Sequence, residues 1–153
     1  MSRYAEKTSV SSERSRGEIE KTLVRYGASG FAYGTQSNLA LIMFQMKGKR
    51  VKFVLPLPDL NSKSITHDGR GSKRSPQRQR DAWEQACRQK WRALALAIKA
   101  KLEAVESQIT SFEDEFLSYI VLPNGSTVSQ VVLPEIEKSY QSGNLPPLLG
   151  FGG

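Results

Sequence analysis

The sequence predicts an α+β fold: an N-terminal helix, a three-stranded antiparallel meander, one long central helix and a C-terminal helix–hairpin–helix. Three observations carry this. From Ser75 to Ile109 there is no glycine and a single proline, Pro76. Along that stretch Trp83, Cys87, Trp91, Leu94, Ile98, Leu102, Val105 and Ile109 follow one another at steps of four and three, which draws one apolar stripe down a helix. Between Phe31 and Leu57 lie three segments of strand character parted by turn residues. The length, 153 residues with 39% apolar and 24% charged side chains, suits one ordinary globular domain.

Residues 1–11 read as a flexible arm and residues 12–143 as the single domain. Ser11 or Ser12 can cap a helix running to about Tyr26, with Ile19, Leu23 and Tyr26 on one face and Gly27 as the stop. Glu13, Glu18 and Glu20 lie toward its start, where the helix dipole favours them. Phe31 to Thr35 is a short strand. Leu39 to Met46 is apolar on both faces at first, as a central strand would be. Val51 to Leu57 alternates Val51, Phe53, Leu55 and Leu57 on one face with Lys52 on the other, and Pro56 and Pro58 end the meander. Residues 59–75 are polar and glycine-containing, with almost no apolar anchor, and are expected to form a mobile basic loop.

Ser75 then caps the long helix, with Pro76 at its first position, where the missing N–H costs nothing. Thr110 or Ser111 offers a capping box to Glu113 or Asp114 and opens a short helix that buries Phe112, Phe116 and Leu117. Tyr119 to Leu122 reads as a strand, Pro123-Asn124-Gly125 as a tight turn and Ser126 to Val128 as the return. A last helix covers about Ser129 to Gln141, with Pro134 implying a kink or a start as late as Leu133. Gly143 ends it. Residues 144–153 form a Pro- and Gly-rich apolar tail, either disordered or a strap on a groove.

Composition removes several classes of function. No apolar run approaches the roughly 20 residues of a membrane span, so no membrane partner is expected. Residues 1–15 lack the apolar core of a secretory signal, which suits a cytoplasmic protein. Cys87 is the only cysteine and lies within the apolar stripe, where it reads as a small buried hydrophobe rather than a nucleophile. His67 is the only histidine, which leaves at most a weak site with Asp68. Asp59 follows a strand, but residues 60–74 hold no glutamate to complete a nuclease site. The consecutive acids Glu113, Asp114 and Glu115 splay around a helix instead of converging. No phosphate-binding Gly-x-x-x-x-Gly-Lys-Ser/Thr loop occurs. No catalytic residue, metal site or cofactor is therefore expected.

Charge points toward binding. Ten basic and two acidic residues lie between Arg70 and Lys101, a net +8, against 12 basic and 13 acidic in the rest of the chain. Arg70, Lys73, Arg74, Arg78 and Arg80 sit in the loop and the first turns of the long helix, whose N-terminus adds partial positive charge. Lys47, Lys49 and Arg50, with Lys52 nearby, form a second cluster at a hairpin tip. Both clusters are candidates for contact with nucleic-acid phosphates. Trp83, Trp91, Phe44 and Phe53 fall on apolar faces and read as core rather than as stacking platforms.

The order helix, three strands, helix from Ser12 to Ile109 resembles the topology of a double-stranded-RNA-binding domain, which also places basic residues at the start of its second helix. The segments RSRGEIEKTLVRYGASGFAYG (Arg14 to Gly34), VKFVLPLPD (Val51 to Asp59), AWEQACRQKWRALALAIKAKLEAVESQI (Ala82 to Ile109) and FLSYIVLPNGSTV (Phe116 to Val128) carry a closer likeness. In them the chain resembles a widespread group of small phage and prophage proteins. That resemblance implies a phage or mobile-element setting and brings no catalytic residues with it. The expectation is a phage nucleic-acid-binding accessory protein, acting on DNA or RNA without chemistry of its own. The alternative is an inhibitor or adaptor that binds a host protein through the acidic C-terminal part and the tail. A metal-dependent nuclease comes third.

Overall fold

Helix α1 (Ser2–Arg25) leads into an antiparallel meander of β1 (Ser29–Gln36), β2 (Leu39–Met46) and β3 (Lys49–Pro56). This computed structural model describes the backbone of residues 2–144 and the side chains of residues 13–144, so the tail expected at 144–153 lies outside the described residues beyond Asn144. The α+β architecture is the one expected. The start of α1 differs, since the segment read as an arm is helical from Ser2. Residues 2–11 contain neither glycine nor proline, so nothing stops the helix from propagating toward the N-terminus. The turn between β2 and β3 places Lys47 and Gly48 both at positive φ (50° and 75°), the two-residue geometry whose twist matches the flanking strands.

One face of the sheet is the core. Ala40, Ile42, Phe44 and Met46 of β2 alternate with Leu39, Leu41, Met43 and Gln45, and only the first set is buried. Val51, Phe53 and Leu55 of β3 join them. Ile19 and Leu23 of α1, and Trp91, Ile98 and Leu102 of α3 (Pro76–Glu106), pack against this face. Phe44 sits at the centre, with the rings of Phe31, Phe53 and Phe116 at 6.3–6.4 Å. Full burial of each such side chain is worth about 1.5–3 kcal/mol.

The cap of α3 is as read. Ser75 Oγ accepts from the Arg78 amide at 3.3 Å, and Pro76 follows at the first helical position. Its end is earlier than expected. Gln108 adopts φ 62°, its amide donates to the Val105 carbonyl, and the Ile109 amide donates to the Ala104 carbonyl. This left-handed closure ends the helix at Glu106 and turns Ile109 out of the stripe into solvent. A short helix, α4 (Phe112–Glu115), is capped by Ser111, and a single 3₁₀ turn (Leu117–Tyr119) leads to β4 (Ile120–Val121). Strand β4 pairs with β3, making the sheet four-stranded in the order β1-β2-β3-β4. A bridge from Val121 to Thr127 closes the C-terminal hairpin.

Helix α5 (Val128–Ser142) begins before Pro134 and includes it, so the late start at Leu133 does not occur. Thr127, read as part of a strand, is its N-cap. Thr127 Oγ1 accepts from the Gln130 amide while Gln130 Oε1 accepts from the Thr127 amide.

Candidate nucleic-acid interface

Helix α1 lies along α3 in the parallel sense. Tyr26 Oη donates to Glu103 Oε1 at 3.4 Å near one end, while Arg14, Ser15 and Glu18 face Gln85 to Arg92 nearer the other. The basic residues are thereby distributed over three places.

The first is the segment between β3 and α3, which is more organised than its composition implies. Trp83 Nε1 donates to the Pro58 carbonyl and Gln79 Nε2 to the Leu60 carbonyl, both at 2.8 Å, fastening the segment to α3. A turn of helix, α2 (Lys63–Thr66), buries Ile65, the apolar anchor the sequence reading overlooked. His67 and Lys73 then pair as an antiparallel bridge around a turn closed by Asp68. Asp68 Oδ1 accepts from the amides of Arg70 and Ser72, each at 2.9 Å. The amides of Ser72 and Arg70, with Arg74 and Arg78 nearby, hold the Asp68 carboxyl below the usual carboxylate range.

The five predicted residues here have different roles. Arg74 Nη1 donates to the carbonyls of Ser64 (3.3 Å) and Ile65 (3.0 Å), so its guanidinium holds the segment together. Arg70, Lys73, Arg78 and Arg80 are exposed, with the Asp68 charge acting on Arg78. The Arg78 amide is already taken by Ser75, which leaves the helix start one donor fewer for an anion.

The second place is the β2–β3 turn. Lys47, Lys49 and Arg50 are exposed there, but Lys47 lies across a depression from Glu113 and Asp114. This turn sits by the C-terminal end of α3 and the first cluster by its start. Thirty-one residues of helix, about 46 Å at 1.5 Å per residue, separate them. The two predicted clusters are not brought together.

The third place was not singled out from sequence. Arg14, Ser15 and Glu18 of α1 and Gln85, Arg88, Gln89 and Arg92 of α3 line one groove of about 680 Å³. Residues 85, 88, 89 and 92 share one helix face, and the sequence alone reads them as a solvated surface. Among the described residues none of Arg14, Arg88 and Arg92 enters an ion pair. Arg16, by contrast, lies over the Tyr33 ring at 5.6 Å.

Among the described residues no three of His, Cys, Asp and Glu could together hold a metal ion. Asp59 Oδ1 accepts from the Asn61 amide, and Glu115 faces Lys101 at 3.8 Å. His67 Nδ1 is 2.8 Å from Thr66 Oγ1. Burial pushes the Cys87 thiol up to about 11, with Arg88 opposing and Glu84 adding, so it holds its proton at neutral pH. Glu84 is buried, and its Oε1 has no hydrogen-bond partner among the described residues. Trp91, Phe44 and Phe53 are in the core and Trp83 is half-buried. Among the described residues no helix is long and apolar enough to cross a membrane. Comparison with protein-family models, curated proteins and solved structures finds no match to the chain.

Proposed function

We propose that this is a phage-encoded, nucleic-acid-binding accessory protein that grips backbone phosphates and performs no chemistry of its own, in the cytoplasm of a bacterial host. The observation that carries the reading is unneutralised charge on one element. Along α3 and its leading segment, Arg70, Lys73, Arg78, Arg88, Arg92 and Lys99 enter no ion pair among the described residues. Guanidinium and ammonium groups held on a rigid helix repel one another until an anion neutralises them. A phosphate backbone does so while releasing its condensed counterions. Positioning by phosphate contacts carries no sequence information, so binding is of similar strength for unrelated sequences. The test is a gel shift at low salt with single- and double-stranded DNA and RNA, with and without magnesium. Retarded, intact nucleic acid is expected. Absence of any shift would overturn the reading, and magnesium-dependent cleavage would replace it with the nuclease.

A second reading, an adaptor for a host protein, is favoured by α5. Leu133, Ile136 and Tyr140 form an exposed apolar stripe there, Tyr140 being 86% exposed. Residues 107–144 carry five acidic residues and one basic, which disfavours nucleic acid at that end. Changing Leu133 and Ile136 to Ser leaves nucleic-acid binding intact in the first reading. In the second it abolishes co-purification of one stoichiometric host protein.

A further inference from the structure

We infer that the groove between α1 and α3 is the seat of a nucleic-acid strand, with Arg14, Arg88 and Arg92 holding its phosphodiester backbone; this rests on the nucleic-acid reading above. The groove exists because α1 and α3 pack in parallel, so that Arg14 on one wall faces Arg88 and Arg92 on the other. Arg88 and Arg92 stand one turn apart, about 6 Å along the helix axis, a spacing at which two guanidiniums can serve successive phosphates of an extended strand. Glu18 is the one acidic lining residue, so three arginines leave the groove net +2. Charges of one sign in a concavity with protein walls focus their field into it.

The other basic places are less available. Arg74 is committed to the Ser64 and Ile65 carbonyls, Asp68 acts on Arg78, and Lys47 looks across at Glu113 and Asp114. In the groove, Gln85 and Gln89 add side-chain amides that both donate and accept. Such groups can bond sugar hydroxyls and base edges. At about 680 Å³ the groove is the size of a small-ligand cleft, so it takes the backbone of one strand at a time. That strand is either free or the exposed backbone of a duplex.

The test is fluorescence anisotropy with a labelled oligonucleotide, single-stranded in one arm and annealed in the other. The proteins are wild type, the groove variant Arg14→Gln/Arg88→Gln/Arg92→Gln, and the loop variant Arg70→Gln/Lys73→Gln/Arg78→Gln. Glutamine keeps helix propensity. The groove variant is expected to bind more weakly, its log–log salt slope falling by roughly one unit per arginine removed. The loop variant is expected to lose less. Loss in the single-stranded arm alone assigns the groove to free strands, and loss in both assigns it to any exposed backbone.

A groove variant that is folded and binds like wild type would overturn the inference while leaving the proposed function standing. Wild type that binds neither probe would overturn both. Should the groove variant fail to fold, a photo-crosslinking residue placed singly at Gln85 or Gln89 decides. Crosslinks to the oligonucleotide support the groove, and their absence, beside crosslinks from position 70, refutes it.

Discussion

Arg74 separates a structural arginine from a binding one, and its replacement is the sharpest local test of the interface. Its guanidinium donates to the Ile65 carbonyl at 3.0 Å, a half-buried bond, and to the Ser64 carbonyl at 3.3 Å, an exposed one. A hydrogen bond from a charged donor is worth about 1.5–3 kcal/mol where water is excluded, and much less in the open. The half-buried bond therefore dominates, and Arg74→Gln is expected to destabilise the segment between β3 and α3 by about 1.5–2.5 kcal/mol. If that segment melts with the domain, the melting temperature falls by roughly 3–10 °C, at 2–4 °C per kcal/mol for a chain of this size. If it opens locally, the loss appears as faster amide exchange at Arg74 and Gly71, whose N–H groups bond within the segment. The assay is a melting curve and hydrogen exchange on one sample, beside the salt slope of oligonucleotide binding. The slope is expected to stay near wild type. An Arg74→Gln protein with unchanged melting and exchange, but a slope lower by a full unit, would show that Arg74 contacts phosphate and that the structural role is wrong.

Other expectations follow from single groups. Phe44→Ala removes the ring on which Phe31, Phe53 and Phe116 converge and should cost about 3–5 kcal/mol in urea denaturation. Gln108 holds φ 62° without being glycine, so Gln108→Gly should raise stability by about 0.5–1 kcal/mol; a loss would mean that its side chain holds the helix end. Thr127→Ala dissolves the capping box of α5 and should cost about 1 kcal/mol, read as earlier fraying of α5 by hydrogen exchange. Asp68 is held below its ordinary pKa of 3.8, so its contribution is fully present above that pH and is lost as pH falls through the lower folded value. Protection of the Arg70 and Ser72 amides should therefore be flat from neutral pH to about 4 and fall below it, a step that Asp68→Asn removes.

The elements that could be read from sequence were those whose signal is local and periodic. Ser75-Pro76 and the stripe through Trp91, Ile98 and Leu102 gave α3 its start and its buried face, and an apolar run between turn residues gave β2 its bounds. Its end was hidden because a glutamine, not a glycine, takes the left-handed position. The capping box of α5 was visible as Thr127-x-x-Gln130 but was overridden by the strand character of Ser126 to Val128. The segment from 59 to 75 looked unanchored because Asp68 and Arg74 organise it through main-chain hydrogen bonds, which leave no hydropathy pattern. The groove was beyond any local reading. Arg14 lies more than seventy residues before Arg88, and only the parallel packing of α1 on α3 makes them neighbours.

The most direct measurement is the salt dependence of oligonucleotide binding by the wild-type protein. Phosphate contacts from Arg14, Arg88 and Arg92 would make the logarithm of the binding constant fall linearly with the logarithm of salt, with a slope of about −2 to −3. Absence of binding at low salt, or binding that salt leaves unchanged, would contradict the account and move the exposed stripe of α5 to the centre of the protein's function.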